Sequence, residues 1–461
     1  MTDPADLPAV DLLAAFAARR LSPVEALDAV LARIERAEPS LCALYALDPD
    51  GARAAARESE ARWLRGEARG LEGVPATIKE NIATKGVPVP LGTAARDLVP
   101  APADAPPAAR LREAGAVIVA KTTMPDYGML SSGLSSFHRP ARNPWNPALN
   151  PGGSSAGAGA AAAAGYGPLH VGTDIGGSIR LPAAWCGVAG LKPSLGRVPI
   201  DPPYYGRVAG PMTREVRDAA LMMRELSRPD WRDTMSLPPQ DIDWMDLEHD
   251  VRGLRVGLWL DAGFGLPVEP EIRAAVSDAA RRFADAGAHV EPMESFVTRR
   301  MLDGLDAFWR LRSWTDISAL PAARREKVLP YILRWAEGGA DLSGEDAYHG
   351  MSQMMAMRDA AVRACQPYDL VLSPVAPCVQ FPAEFAGPTD DPARPLEHIG
   401  FTVAFNMSEQ PAISVNAGWT RDGMPIGLQL AGRRFDDLGV LRAARAGEAM
   451  RGPQRPWPRI D

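Results

Sequence analysis

The chain has 461 residues, which at roughly 150 residues per domain suggests about three domains. Hydrophobic residues make up 46% and charged residues 23%, the balance of a globular protein with a sizeable core, and this excludes disorder and collagen-like repeats. Lys and Arg number 50 against 57 Asp and Glu, a net charge of −7, so no basic footprint for nucleic acid or an anionic membrane is expected. Ser22-Pro23-Val24-Glu25 has the form of a capping box with proline at the first helical position. Val24, Leu27, Leu31 and Ile34 follow at helical spacing and predict a helix to about Glu38. Residues 117–121 (VIVAK) form a short apolar run after Gly115 and read as a buried strand. Residues 140–151 are punctuated by Asn-Pro pairs and read as loop. The small-residue stretch 152–165 predicts a tightly packed helix starting near Ser154 or Ser155, and residues 170–173 predict a strand ending at Gly176-Gly177.

Between Arg224 and Gly253 the chain is rich in Asp, Pro and Trp without periodicity and reads as a surface excursion. Residues 254–260 predict a strand. Residues 269–286 predict a helix with Ile272, Val276, Ala279 and Phe283 on one face. Residues 300–365 read as mostly helical, their Met and Trp residues as core packing, with a substrate-facing lid as the alternative. Residues 369–373, 412–415 and 426–430 predict closing strands. Strands alternating with helices argue for an α/β fold with a mostly parallel sheet. Residues 1–9 lack a basic region followed by an apolar one, so no secretory leader is expected. No apolar run approaches the roughly 18 residues of a membrane span, and a cytoplasmic protein is expected. Cys42, Cys186, Cys365 and Cys378 are scattered without a CxxC pair, and the six histidines lack HExxH spacing. Neither a metal site nor a disulfide framework is expected.

Three islands carry chemistry. Gly153-Ser154-Ser155-Ala156-Gly157 matches G-x-S-x-G, the nucleophile-elbow pattern that would make Ser155 the nucleophile. That geometry needs a strand immediately before it, and residues 146–151 are interrupted by proline and asparagine, which argues against the elbow. Taken locally, a glycine-rich turn into a helix with incidental serines competes with any catalytic reading. In Gly172-Thr173-Asp174-Ile175-Gly176-Gly177-Ser178-Ile179-Arg180, paired glycines before a serine can converge backbone N–H groups on one point, as an oxyanion requires. In Gly73-Val74-Pro75-Ala76-Thr77-Ile78-Lys79-Glu80-Asn81, Lys79 ends an apolar, strand-like run; seen alone it reads as a surface lysine with a snorkelling stem.

Together the islands are specific. Lys79 and Ser154 lie 75 positions apart and Ser154 and Ser178 lie 24 apart. With Gly187-Val188-Ala189-Gly190-Leu191-Lys192-Pro193, Gly210-Pro211-Met212-Thr213-Arg214, Gln410-Pro411-Ala412-Ile413-Ser414-Val415 and Gly427-Leu428-Gln429-Leu430, this pattern resembles the amidase signature family of serine hydrolases along most of the chain. The resemblance implies one α/β domain over residues 1–461 in place of three: a large mixed, mostly parallel central sheet flanked by helices. The signature core would span about 70–220 and a variable helical pocket region about 300–365. It implies Ser178 as nucleophile, Ser154 as a bridging serine in a cis peptide and Lys79 as base. The N–H groups of Ile175, Gly176, Gly177 and Ser178 would form the oxyanion hole, with Ser155 supporting and neither metal nor cofactor.

The chemistry fits those residue types. A serine hydroxyl is a poor nucleophile until a base takes its proton. No histidine lies in the three islands, so a lysine relay of the Ser-Lys kind is the available base. Bringing a lysine from a pKa of ~10.4 to neutrality at pH 7 costs roughly 4.6 kcal/mol, which burial can supply. Activity rising toward alkaline pH is therefore expected. Gly176 and Gly177 would let backbone approach substrate without a Cβ in the way, and Asp174 and Arg180 are expected to brace the loop.

Two departures from the family pattern matter. Ala156 stands where the common form has the first of two glycines. The catalytic chain of glutamyl-tRNA amidotransferase, a family member, carries a tyrosine-rich stretch near positions 343–355, where this chain has Asp346-Ala347-Tyr348-His349-Gly350-Met351-Ser352. The leading expectation is a hydrolase of small aryl or alkyl amides, with carbamates (urethanes) sharing the electrophilic carbonyl and esters as a side activity. The alternative is the catalytic subunit of a glutamine amidotransferase complex. Ser131, Tyr204 and Tyr205 are candidate pocket residues, with Trp309 and Trp314 available for an apolar wall. The expected partner is a small-molecule amide or carbamate, without nucleic acid or membrane, for a monomer or homodimer.

Overall fold

A computed structural model describes residues 3–460. The capping box forms as the sequence predicts: Ser22 Oγ accepts from Glu25 N and Glu25 Oε2 accepts from Ser22 N. The helix it starts, Pro23–Leu41, runs past Glu38 to a left-handed residue at Cys42. Among the described residues eleven strands make one sheet: β1 (Leu44–Tyr45), β2 (Pro75–Lys79), β3 (Val117–Thr122), β4 (Leu169–Asp174), β5 (Ala189–Lys192), β6 (Val208–Thr213), β7 (Arg255–Leu258), β8 (His289–Pro292), β9 (Leu370–Pro374), β10 (Ala412–Trp419) and β11 (Pro425–Gly432). Their spatial order is β1-β3-β2-β4-β6-β5-β10-β11-β9-β7-β8.

The sheet is mixed, and the expectation that it is mostly parallel is corrected. Parallel pairing is confined to β2 with β3 and β4 and to β7 with β8 and β9. The β1–β3, β4–β6, β5–β6, β5–β10, β10–β11 and β9–β11 pairs are antiparallel. Helical crossovers produce the parallel pairs, as with helix Pro106–Glu113 between β2 and β3. The centre instead turns back on itself, as in the short loop from β10 to β11, and a short connection joins antiparallel neighbours.

Alternation along each strand splits the core into two layers. Leu370 and Leu372 of β9, Ile413 and Val415 of β10, and Leu428 and Leu430 of β11 face the helices Val216–Leu226, Pro270–Asp285 and Asp437–Arg451. Val371, Ala412 and Ala431 face the opposite layer, with helices Arg299–Ser318, Pro330–Glu337, Gly344–Cys365 and Gly400–Met407. Ile272, Val276, Ala279 and Phe283 are buried as the periodicity predicts. The stretch 227–253 holds no helix or strand, yet it is more than an excursion: Trp244, Leu247 and Val251 anchor it in the first core layer. No described helix is long and apolar enough to cross a membrane.

Candidate active site

β2 and β4 lie side by side and parallel, with Ile78 opposite Val171, so the ends of both strands reach the same edge of the core. Lys79 is the last residue of β2 and is fully buried. Its Nζ donates to Ser154 Oγ at 2.8 Å and to Thr173 Oγ1 at 3.0 Å. Asn81 Nδ2 also donates to Thr173 Oγ1, at 3.0 Å. Burial pushes the lysine down from 10.5 to about 7, although the negative charges of Asp174 and Glu80 oppose the shift.

Ser154 is held by the turn that precedes helix Ala156–Ala164, and the Gly153–Ser154 peptide is cis. Close approach of a neighbouring backbone makes glycine necessary at position 157 of that helix. A Cβ on Gly157 would lie 2.1 Å from the carbonyl oxygen of Ala43. No strand precedes the serine pair, and Ser155 is fully buried. Ser155 N donates to Ser178 O at 3.0 Å, and its hydroxyl donates to Thr173 O at 3.1 Å while accepting from Thr173 N at 3.2 Å. Ser155 therefore staples the serine turn to β4 and to the loop beyond it, and the elbow geometry is absent.

That loop, residues 175–179, follows β4. Gly177 has φ +129°, and a Cβ there would sit 2.6 Å from Thr402 Oγ1, so glycine is required. Thr402 Oγ1 in turn donates to Gly176 O at 2.6 Å. Asp174 and Arg180 brace the loop in an ion pair with both side chains fully buried. Asp174 Oδ1 accepts from Gly177 N at 2.8 Å and Oδ2 from Ile179 N at 3.1 Å. Arg180 donates onward to Thr402 O, Gln429 Oε1 and Asn406 Oδ1. Burial alone would raise the Asp174 carboxyl, but the Arg180 charge and these hydrogen bonds hold it far below the usual carboxylate range. The Gly177 N–H is occupied by Asp174, so of the four donors expected from sequence only those of Ile175, Gly176 and Ser178 lack a protein acceptor.

Ser154, Thr173, Ile175 and Ser178 line one cavity of about 260 Å³. Tyr127, Gly128 and Met129 form one wall, Tyr204 and Arg207 another, and Arg312, Ser313, Asp316 and Ile317 of helix Arg299–Ser318 a third. The 300–365 region thus serves as core and as pocket wall at once. Tyr204 lines the cavity as expected, whereas Ser131 and Tyr205 do not. The cavity instead takes Gly128 and Met129 from the Ser131 loop, and the Tyr205 hydroxyl donates to Met407 O at 2.9 Å. Trp309 is buried behind the loop, its ring 3.2 Å from where a Gly176 Cβ would stand, and Trp314 packs against the same core layer. Thr173 and Asn81 stand in the sequence islands with no role read for them, and Thr402 and Asn406 lie outside the islands. Thr173 alone carried a usable signal, as a hydroxyl on the strand beside Lys79. His170, the nearest histidine in sequence, is fully buried, bonded to Thr77 and Gly167, and pushed down to about 3 by burial.

Known proteins resemble this chain in sequence and in fold. The Amidase family model matches residues 25–441. The A-type subunit of a glutamyl-tRNA(Gln) amidotransferase from Anaeromyxobacter sp. (strain K) is 39% identical over 95% of each chain. An acylamidase from Rhodococcus erythropolis is 34% identical, covering 98% of this chain and 96% of its own. The crystal structure of a bacterial aryl acylamidase of the amidase signature enzymes superposes with a TM-score of 0.88 at 31% identity over 96% of both chains. The chain belongs to the amidase family. Its chemistry is accordingly that of amide C–N bonds, by hydrolysis or by amide transfer.

Proposed function

We propose that the chain is a free-standing serine hydrolase that cleaves small amides, with carbamates as substrates of the same electrophilic kind. One observation carries the reading: Lys79 Nζ lies 2.8 Å from Ser154 Oγ beside the cavity that Ser178 also lines. Ser178 Oγ attacks the carbonyl carbon, and its proton passes through the Ser154 hydroxyl to neutral Lys79. The N–H groups of Ile175, Gly176 and Ser178 hold the oxyanion, each donor typically being worth ~10²–10³ in turnover. As the tetrahedral intermediate collapses, the proton returns through Ser154 to the departing amine nitrogen. Water then attacks the acyl-Ser178 ester under the same relay and releases the acid. A cavity of about 260 Å³ suits a small acyl or aryl group, and Leu91, Tyr127, Met129 and Ile317 supply apolar wall for it.

The 39% identity to one chain of an amidotransferase favours a second reading, in which this chain is the catalytic member of an amidotransferase complex. The test is peptide mass spectrometry after a fluorophosphonate probe, combined with amide, anilide and carbamate hydrolysis by the isolated chain. An adduct on Ser178, lost in Ser178→Ala and slowed in Lys79→Ala, with turnover by the chain alone, supports the hydrolase. An adduct without turnover until a partner chain is added supports the second reading. An adduct on Ser155, or on no serine, overturns both.

A further inference from the structure

Arg207 and Arg312 both line the cavity that holds Ser154 and Ser178, and neither has an acidic partner within 4.0 Å among the described residues. They approach the ring of half-buried Tyr204, with guanidinium carbons 5.9 and 5.1 Å from its centroid. Each guanidinium has five N–H donors, and few are engaged. Arg207 Nη2 donates to Pro202 O, and Arg312 Nη2 donates at 3.3 Å to the Met129 thioether, a weak acceptor. Burial and the neighbouring Arg312 charge make the cationic form of Arg207 harder to hold, while Asp201 and Asp233 help without pairing with it. Of the acids on the cavity, Asp174 is committed to Arg180, and exposed Asp316 forms no ion pair with Arg312 one turn away. Two like charges beside one small cavity, with unfilled donors, are the arrangement that a bound anion relieves.

We propose that Arg207 and Arg312 form an anion-binding subsite and that the amides this chain cleaves carry a carboxylate close to the scissile bond. The inference rests on the hydrolase reading above and narrows its substrate class. A carboxylate can take two N–H bonds from one guanidinium, or one from each, and this fixes the carbonyl relative to Ser178 without adding bulk. The apolar wall of Leu91, Tyr127 and Ile317 would then cover the short carbon chain between the two groups.

Two substrate pairs test it. The mono-4-nitroanilide of succinic acid against the 4-nitroanilide of butyric acid places the carboxylate on the acyl side. 4-Acetamidobenzoate against 4-methylacetanilide places it on the amine side. In at least one pair the carboxylate-bearing member should be favoured about ten- to a hundredfold in kcat/KM, as expected for a charged hydrogen bond, and mainly through KM. That preference should shrink between about 0.05 M and about 0.5 M salt as the Debye length contracts. Arg312→Gln and Arg207→Gln should each reduce the ratio by about tenfold, with Arg312→Lys retaining part of it. The salt titration on unaltered enzyme decides the matter if the Arg207 variant does not fold. No preference in either pair, or a preference indifferent to salt and to both variants, overturns the subsite while leaving the hydrolase standing. Turnover of none of the four, with no fluorophosphonate adduct on Ser178, overturns the hydrolase reading and the subsite with it.

Discussion

Replacing Lys79 with methionine should abolish activity and yet stabilise the fold at neutral pH. Lys79 is fully buried, and its pKa falls from 10.5 to about 7. At about 1.4 kcal/mol per pH unit, that difference amounts to about 5 kcal/mol of destabilisation while both the folded and the unfolded chain hold the proton. The sign follows from proton counting. Between pH 7 and 10.5 the unfolded state binds the proton and the folded state does not, so stability rises with pH across that window. Below pH 7 both states are protonated and the full penalty stands; above 10.5 neither is, and it vanishes. Methionine fills a similar volume without a charge. It removes the penalty but leaves Ser154 Oγ without its donor, at about 1–3 kcal/mol and less where water enters, while Thr173 Oγ1 still accepts from Asn81 Nδ2. That loss does not depend on pH. In urea unfolding from pH 6 to 10, the stability of Lys79→Met minus that of the unaltered chain should therefore be most favourable near pH 6–7. It should then fall by about 1.4 kcal/mol per pH unit above 7. A difference that stays flat with pH refutes the claim that Lys79 is held neutral by burial, and with it the base.

The same shift predicts that kcat/KM rises about tenfold per pH unit below about 7 and levels off above it, since only neutral Lys79 accepts the serine proton; a flat profile from pH 6 to 9 with chemistry rate-limiting counts against this. Ser178→Ala should lose turnover by about 10⁴-fold or more with an unchanged unfolding midpoint, because the side chain faces the cavity. Asp174→Asn should cost about 3–5 kcal/mol by leaving the Arg180 charge unmatched in the core. Since the native carboxyl titrates far below its ordinary value of 3.8, the stability it contributes is complete above about pH 4 and lost as pH falls further. An acid-unfolding comparison reads both effects. Gly177→Ala, with a Cβ 2.6 Å from Thr402 Oγ1 and φ at +129°, should add about 1–3 kcal/mol of strain in the loop and lower kcat rather than raise KM, as steady-state kinetics would show.

Local sequence reading reached the elements whose cause is local. The Ser22 capping box, the apolar face of residues 272–283 and the buried run of β3 each formed as their own residues dictate. Lys79, Ser154 and Ser178 were legible through the resemblance of their three islands, taken together, to the amidase signature; each island alone read as ordinary structure. Sheet sense was not legible. Whether β5 pairs with β6 and β10 is decided by connections and by partners distant in the chain, and β5, β6 and β8 carry no periodicity long enough to announce themselves. The oxyanion loop was legible only as a glycine pair. Which of its N–H groups are free depends on the Asp174 side chain, and the loop's position depends on Thr402 and Asn406, more than 200 positions onward.

The sequence by itself determined the chemical inventory of this protein: one lysine, two serines and a glycine turn, in an order suited to acyl transfer. Only the tertiary structure decided what that inventory can do. The parallel pairing of β2 with β4 brings Lys79 to Thr173 and, across the serine turn, to Ser154. Burial there removes the water that would keep the lysine charged, and the fold collects Arg207 and Arg312 on one cavity without their counter-ions. Proton affinity and electrostatic environment belong to the packed surroundings of a group, and those surroundings come from segments that the chain order alone does not bring together.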